Sequence, residues 1–372
     1  MSLPWPLLWL LTSALRVFPW PTRPGLRPVG QPDANSPVLL TCSFALTVAL
    51  VERVLRGRDA WLLVANSRGI NVWCAATGGH LSTHEAVSVL KTSGISEQVE
   101  HRRVILPQLA ATGIEVDELQ QRTGWRAVWG PVDVHDLPAF LDGDDRSAMR
   151  QIRFDLLQRL EMAIMWATPL SLLSLFVLLF DRTLLLPLLA LIWAMSLLVY
   201  TAFPLYEALL RPPRQGGPTP VGVRFLLFVT VFGVMAVAGV ALTGASLGSL
   251  RWSFLLRWGG AGVGVVLVLA FELAGSTPLY KSWTHDDRRF RVVLDEDLCI
   301  ACDRCVEVCP RGVFVVEDVA VLAHAERCEQ CGACIVQCPV DALAFETLAG
   351  ERVSPEAVRR YKLNLLGRRA QG

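Results

Sequence analysis

The pattern of apolar and polar positions changes rhythm twice along this chain. Between residues 37 and 145, short apolar runs alternate with longer amphipathic segments. The runs "PVLLTC" (37–42) and "AWLLVA" (60–65) have the length and continuity of buried strands. Residues 45–58 between them predict a helix that ends near Gly57. "RVILPQL" (103–109) and "RAVWGPV" (126–132) supply further strand candidates. Ser82, followed three positions later by Glu85, has capping-box spacing, so a helix is expected from Ser82 or Thr83 to about Gly94. Strands alternating with helices predict an α/β, Rossmann-like domain over 37–145 with a mostly parallel sheet. Residues 1–36 read as an apolar N-terminal arm followed by a linker, because 21–36 are rich in Pro, Gly and polar residues.

After residue 145 the rhythm becomes almost continuously apolar. Four stretches, 163–180, 184–204, 225–247 and 254–274, approach or exceed the length that crosses a bilayer. A hydrocarbon core of about 30 Å needs about 20 helical residues. Few ionisable residues interrupt them; Arg257 and Glu272 lie near the two ends of the last. A long helix in a soluble core would show a polar face. A transmembrane domain over 146–280 is therefore expected, facing the lipid bilayer as an anchor, since no charge sits mid-span as an ion path would require. Composition agrees: 372 residues that are 52% apolar and only 19% charged combine a membrane part with soluble parts. The arm's opening, "MSLPWPLLWLLTSAL", is short for a span and lacks a preceding Lys or Arg. It reads as an interfacial helix or flexible arm, with a cleaved or anchoring leader as the competing reading.

Charge orients the bundle. Arg146, Arg150, Arg153 and Arg159 precede the first span; Arg211, Arg214 and Arg224 lie between the second and third; Lys281, Arg288, Arg289 and Arg291 follow the fourth. The opposite side carries Arg182, Arg251 and Arg257. Positive loops stay cytoplasmic, so a multi-pass protein of the inner (cytoplasmic) membrane is expected, with both soluble domains facing the cytoplasm. The net charge of +1 says nothing about nucleic acid, but no basic tract with interleaved aromatics stands out, so no nucleic-acid partner is expected.

The ten cysteines are unevenly placed. "CIACDRCVEVCP" sets Cys299, Cys302, Cys305 and Cys309 at C-x2-C-x2-C-x3-C-P, and "CEQCGACIVQCP" repeats this with Cys328, Cys331, Cys334 and Cys338. Every ligand recurs at an offset of 29. A zinc site would use four donors in two pairs and leave half of the eight unexplained. The run resembles that of bacterial two-cluster ferredoxins, in which the fourth cysteine ligates the other cluster. That resemblance implies an α+β ferredoxin domain over 281–350 with two [4Fe–4S] clusters. One would be held by Cys299, Cys302, Cys305 and Cys338, the other by Cys328, Cys331, Cys334 and Cys309. Residues 351–372 read as a basic C-terminal tail.

Cys74 has no such company. It stands in "NVWCAA" (71–76), which resembles the cap-helix signature of the corrinoid protein of microbial mercury methylation, HgcA, a family related to the corrinoid iron–sulfur protein of the acetyl-CoA pathway. "PGLRPVGQPDANSPVLLT" (24–41), "GRDAWLLVANSRGINVWCAA" (57–76), "HRRVILPQLAATGI" (101–114) and "VWGPV" (128–132) resemble it in the same order. With a membrane domain and then the cysteine repeats, the chain looks like HgcA fused to its ferredoxin partner HgcB. The resemblance implies corrinoid binding by the α/β domain, with Cys74 as catalytic residue and lower axial ligand of cobalt, and Asn71, Val72, Trp73, Ala75 and Ala76 beside it. Thiolate is a soft donor; under cobalt it would favour departure of the methyl group as a carbanion equivalent, which Hg(II) requires. Ala75 and Ala76 are expected to let the backbone approach the macrocycle. The ferredoxin would return cobalt to its reduced state, fed by a low-potential electron donor. A methyl donor protein or one-carbon carrier completes the expected partners.

Two departures bear on substrate. The family continues its motif with Gly–Lys, whereas Thr77 and Gly78 stand here, followed by Gly79 and His80. The family's ferredoxin carries further cysteines beyond its clusters, and none follows Cys338 here. The methyl acceptor is accordingly Hg(II) or another one-carbon acceptor. A membrane-bound electron-transfer protein without corrinoid chemistry is the alternative. His80 and His84, four apart, read as a solvated helix face rather than a metal pair, and Cys42 as a core residue at a strand end.

Overall fold

The computed structural model describes residues 4–16, 18–144, 146–179, 181–210, 221–246, 248, 251–273, 290–347 and 349–360. Arg211, Arg214, Lys281, Arg288, Arg289, the stretch ends Phe180, Leu247 and Ala274, and residues 361–372 lie outside them, as do the side chains of Arg224 and Glu272. The chain divides into two units, Met1–Phe18 with Phe154–Asp287, and Pro19–Arg153 with Arg288–Gly372.

The N-terminal arm is a helix, α1 (Trp5–Ala14). The stretch expected as a linker contains a strand, β1 (Gly25–Val29), so that expectation is corrected. Its Pro28 is tolerated because the strand forms a sheet edge, where one side needs no ladder donors. There follow β2 (Val38–Cys42), α2 (Ala45–Val54), β3 (Ala60–Ala65), α3 (Val72–Thr77), α4 (Thr83–Thr92), α5 (Ile95–Gln98), β4 (Arg103–Leu106), α6 (Val116–Thr123), β5 (Arg126–Trp129) and α7 (Leu137–Leu141). The sheet order is β1-β3-β2-β4-β5, parallel except for the antiparallel β1–β3 pair. All five residues of β2 are buried, because it lies central with both faces covered. The expected capping box is present: Ser82 and Glu85 satisfy each other's backbone amides at the start of α4. Helix α2 stops at Val54, short of Gly57, whose φ of 79° serves the turn into β3.

The other unit holds α8 (Leu156–Ser174), α9 (Leu185–Thr201), α10 (Phe203–Leu210), α11 (Val221–Ser246) and α12 (Trp252–Leu273). Four segments, Leu156–Val177, Arg182–Thr201, Phe228–Ser246 and Trp252–Ala270, are long and apolar enough to cross a membrane. The first starts seven residues before the expected 163, because Asp155 caps it by accepting from the Gln158 amide at 2.8 Å. Its polar first turns are used within the unit. Glu161 accepts from Trp9 Nε1 at 2.7 Å and pairs with Arg16 at 3.0 Å, seating α1 against α8. Leu179, Leu186, Leu242 and Leu256 are each more than 70% exposed, the outward apolar surface that lipid would cover.

The C-terminal part carries β6 (Phe290–Leu294), α13 (Arg304–Val308), β7 (Val315–Val316), β8 (Ala320–Val321), α14 (Ala333–Val336), β9 (Leu343–Thr347), β10 (Arg352–Val353) and α15 (Pro355–Arg360). The ordering β10-β9-β6 is antiparallel, and β7 pairs with β8. The tail expected from 351 begins instead as β10 and α15, and Val358 joins the core that contains Cys305, Cys309, Cys334 and Cys338.

Candidate functional site

Cys74 sits beyond the carboxyl end of β3, in the helix α3 that follows it. The loop 66–70 that delivers it is tied down locally. Ser43 and Ser67 exchange hydrogen bonds, each hydroxyl accepting the other's amide at 3.0 Å, and Ser67 Oγ donates to the Ile70 carbonyl at 2.6 Å. Gly69, at φ 76°, cannot be replaced without collision: a Cβ would lie 2.4 Å from Pro21 N. Asn71 then caps α3, its Oδ1 accepting from the Cys74 amide at 2.9 Å. Asn71 is thus a positioning residue for Cys74.

The chain passes from β2 to β3 on one side and then crosses back past β2 to β4 on the other, so the direction of winding reverses between β2 and β4. Open parallel sheets bind ligands at such a switch point, outside the strand carboxyl ends. Helix α3 after β3 meets the loop 107–114 after β4 there. The approach is close because Gly113 has no side chain: a Cβ would lie 2.3 Å from the Leu81 carbonyl oxygen and 3.1 Å from Ala76 Cα. Gly113→Ala is expected to destabilise the α/β domain by about 1–3 kcal/mol, the cost of overpacking a filled core. Denaturant unfolding of the full chain in detergent checks this.

Of the six residues expected around the cofactor, Asn71, Val72, Trp73 and Cys74 form one continuous half-buried patch. Ala75 and Ala76 do not belong to it. Both are fully buried, and the missing side chain of Gly113 lets its loop pack against Ala76. Thr77 closes the last turn, its hydroxyl donating to the Trp73 carbonyl at 2.8 Å. Gly78 is required where it stands, since a Cβ would lie 2.8 Å from the Cys74 carbonyl oxygen. His80 follows the end of α3 and His84 lies in α4, so they share no helix face. Cys42 is fully buried at the end of β2, and burial pushes its thiol up.

The duplicated cysteine loops fold as a duplicated backbone. Left-handed residues recur at the same offset of 29: Ala301 and Gln330, Asp303 and Gly332, Gly312 and Asp341. Such turns swing amides toward sulfur; Val313 N donates to Cys309 Sγ, Ala320 N to Cys299 Sγ and Gln330 N to Cys328 Sγ, each at 3.4 Å. Cys299, Cys302, Cys305, Cys334 and Cys338 line one cavity, so Cys334 and Cys338 of the second repeat both face the first. Burial pushes the Cys305 thiol up to about 12, with neighbouring Cys302 and Cys299 adding to it. Burial raises Cys334 well above the usual thiol range, and Cys328, Cys331 and Cys309 contribute in the same direction.

Residues 10–141 match the family described as CO dehydrogenase/acetyl-CoA synthase delta subunit. Residues 291–347 match the 4Fe-4S dicluster domain. The first region is 36% identical over 146 residues to the acetyl-CoA decarbonylase/synthase complex subunit gamma of Methanopyrus kandleri, covering 37% of this chain and 31% of that one. It is 35% identical over 144 residues to the same subunit of Methanocaldococcus jannaschii, covering 37% and 29%. The gamma 2 subunit of Methanosarcina thermophila is 41% identical over 118 residues, covering 31% and 25%. The chain spans about a third or less of the length of these curated relatives. The relation to the acetyl-CoA pathway and the iron–sulfur character read from the sequence are thereby supported.

Residue-by-residue reading missed Gln337 and Arg304, which the structure places in contact with the 111–117 segment. A signal was available in the repeat. At the offset of 29, Gln337 stands opposite Val308 and Arg304 opposite Ala333. A glutamine in a slot that its duplicate fills with valine needs a partner outside the repeat.

Proposed function

We propose that this protein is a membrane-anchored corrinoid methyltransferase with a built-in two-cluster ferredoxin. The observation that carries the reading is the half-buried Cys74 patch at the switch point of a parallel sheet, in one compact unit with the duplicated cysteine loops. A Rossmann-like domain would hold the corrinoid, with Cys74 Sγ as the soft thiolate donor that would bind its cobalt. When bound, the corrinoid supplies a metal centre that carries a methyl group. The chain supplies the rest: Asn71 fixes the Cys74 amide, Val72 and Trp73 offer apolar surface to the ring, and buried Ala75 and Ala76 lock the helix on its support.

Cys299, Cys302, Cys305 and Cys338 hold one [4Fe–4S] cluster, and Cys328, Cys331, Cys334 and Cys309 the other. The Arg and Lys distribution favours the cytoplasmic face of the inner membrane for both soluble parts. A low-potential donor and a methyl-donor protein or one-carbon carrier are the expected partners. The methyl acceptor, Hg(II) or another one-carbon acceptor, rests on the resemblance alone. Anaerobic protein reconstituted with cobalamin is expected to retain cobalt and, once methylated, to form methylmercury from Hg(II) above the level of Cys74→Ala. Cobalt retention without methylmercury points to the other acceptor. Iron and sulfide without any cobalt sink the corrinoid reading in favour of a membrane electron carrier.

A further inference from the structure

One polar side chain of the ferredoxin part is spent entirely on the α/β domain. Gln337, 2% exposed, donates from Nε2 to the carbonyls of Ala111 and Ile114, both at 2.7 Å, and accepts from the Val116 amide at 3.4 Å. Two ion pairs flank it. Arg304 grips both oxygens of Asp117 at 2.6 and 3.0 Å, and Arg359 lies 3.6 Å from Glu115. Arg359 also donates to the Cys338 carbonyl at 3.1 Å. A second patch adds the Ile152 amide donating to the Pro310 carbonyl at 2.9 Å.

The position of these anchors matters more than their number. Gln337 precedes Cys338, and Arg304 lies between Cys302 and Cys305. All three cysteines line the same cavity. The segment they grip is the one whose Gly113 presses on Ala76, two residues from Cys74. At the offset of 29 the slots of these two anchors hold Val308 and Ala333, neither of which could make the same bonds. Three of the four anchors therefore adjoin Cys302, Cys305 and Cys338 and grip the segment that meets α3, while the fourth, Ile152 with Pro310, adjoins Cys309 of the other set.

We propose that Gln337, Arg304 and Arg359 dock the ferredoxin part on the 111–117 segment, making the set Cys299, Cys302, Cys305 and Cys338 the electron exit toward Cys74. The other set is then the entrance for an external reductant. Each transfer oxidises the exit centre by one electron and reduces the group held at Cys74 by one; a low-potential reductant, dithionite in the test, restores the centre. Gln337, Arg304 and Arg359 are positioning residues, since they touch neither reacting group. The identity of the acceptor rests on the corrinoid reading above, whereas the docking does not.

The test uses the full chain, cluster-loaded and anaerobic in detergent. Asp117→Arg changes the α/β side and leaves the cysteine loops untouched; Arg304→Asp combined with it restores the pair in reverse. Amide hydrogen exchange over 111–117 is expected to rise at least tenfold in Asp117→Arg and in Gln337→Leu, and to return toward wild type in the reversed pair. Iron content and the electron paramagnetic resonance of the reduced clusters should not change in Asp117→Arg. With cobalamin bound, its reduction after mixing with dithionite, followed by absorbance, should slow at least tenfold in Asp117→Arg and recover in the reversed pair. Unchanged exchange in both single variants overturns the docking. Raised exchange with cobalamin reduced at the wild-type rate overturns the exit assignment. Raised exchange in a protein that never binds cobalamin upholds the docking and sinks the corrinoid reading instead.

Discussion

Cys74→Ala is expected to abolish cobalt–thiolate ligation and to lower methyl transfer more than about 100-fold. The estimate follows from comparison: loss of an outer-shell partner of a metal typically costs about 10- to 100-fold, and a direct ligand should cost more. The variant should fold normally, because Cys74 is half-buried at the surface end of α3 and contributes little core volume. Iron, sulfide and cluster spectra should match wild type, since no cluster cysteine is altered. The readout is the optical spectrum of the Co(III) form, in which the thiolate band should vanish while the corrin bands persist or weaken. Cys42→Ala is the control: fully buried at the end of β2, it should leave every cofactor signal intact. A Cys74→Ala protein with the wild-type cobalt spectrum would falsify the ligand assignment.

The second large effect concerns Cys338. Cys338→Ser should remove about half of the iron and one of two reduced-cluster signals, because a hard hydroxyl is a poor replacement for a soft thiolate at iron. Cys309→Ser should remove the other half. The crossed assignment makes a sharp forecast here. Spectra of Cys338→Ser should match those of Cys299→Ser, in the first repeat, and differ from those of its own-repeat neighbour Cys328→Ser. The reverse grouping would show that each repeat holds its own centre. Stability should fall as well, since Cys338 and Cys309 belong to the apolar core of the ferredoxin part and metal binding supplies folding free energy. Loss of helical signal on chelation of the iron checks that coupling.

Much of this was legible in the sequence because it depends on local spacing. The strands at 38–42 and 60–65 show as continuous apolar runs, since a strand covered on both faces needs no polar side. Ser82 and Glu85 announce the start of α4 through their own reciprocal capping. β1 was hidden because its Pro28 and flanking glycines carry turn chemistry; its pairing with β3 is supplied by a distant segment. The start of the first span is hard to place from sequence because Arg159 and Glu161 look like loop charges until their partners are known: Thr201, Trp9 of α1 and Arg16 just after it.

The cysteine spacing, the four apolar stretches and the α/β rhythm can be read directly along the chain, because each is a pattern written within a few turns or strands. Which of the small residues beside Cys74 are buried depends on contacts that form only in the folded chain. Ala75 and Ala76 turned out to face inward, because Gly113, far along the chain, leaves room for α3 to sink against its loop. The same holds for Gln337. A buried amide must be satisfied, and its partners at Ala111, Ile114 and Val116 lie more than two hundred residues away, beyond the reach of any local pattern.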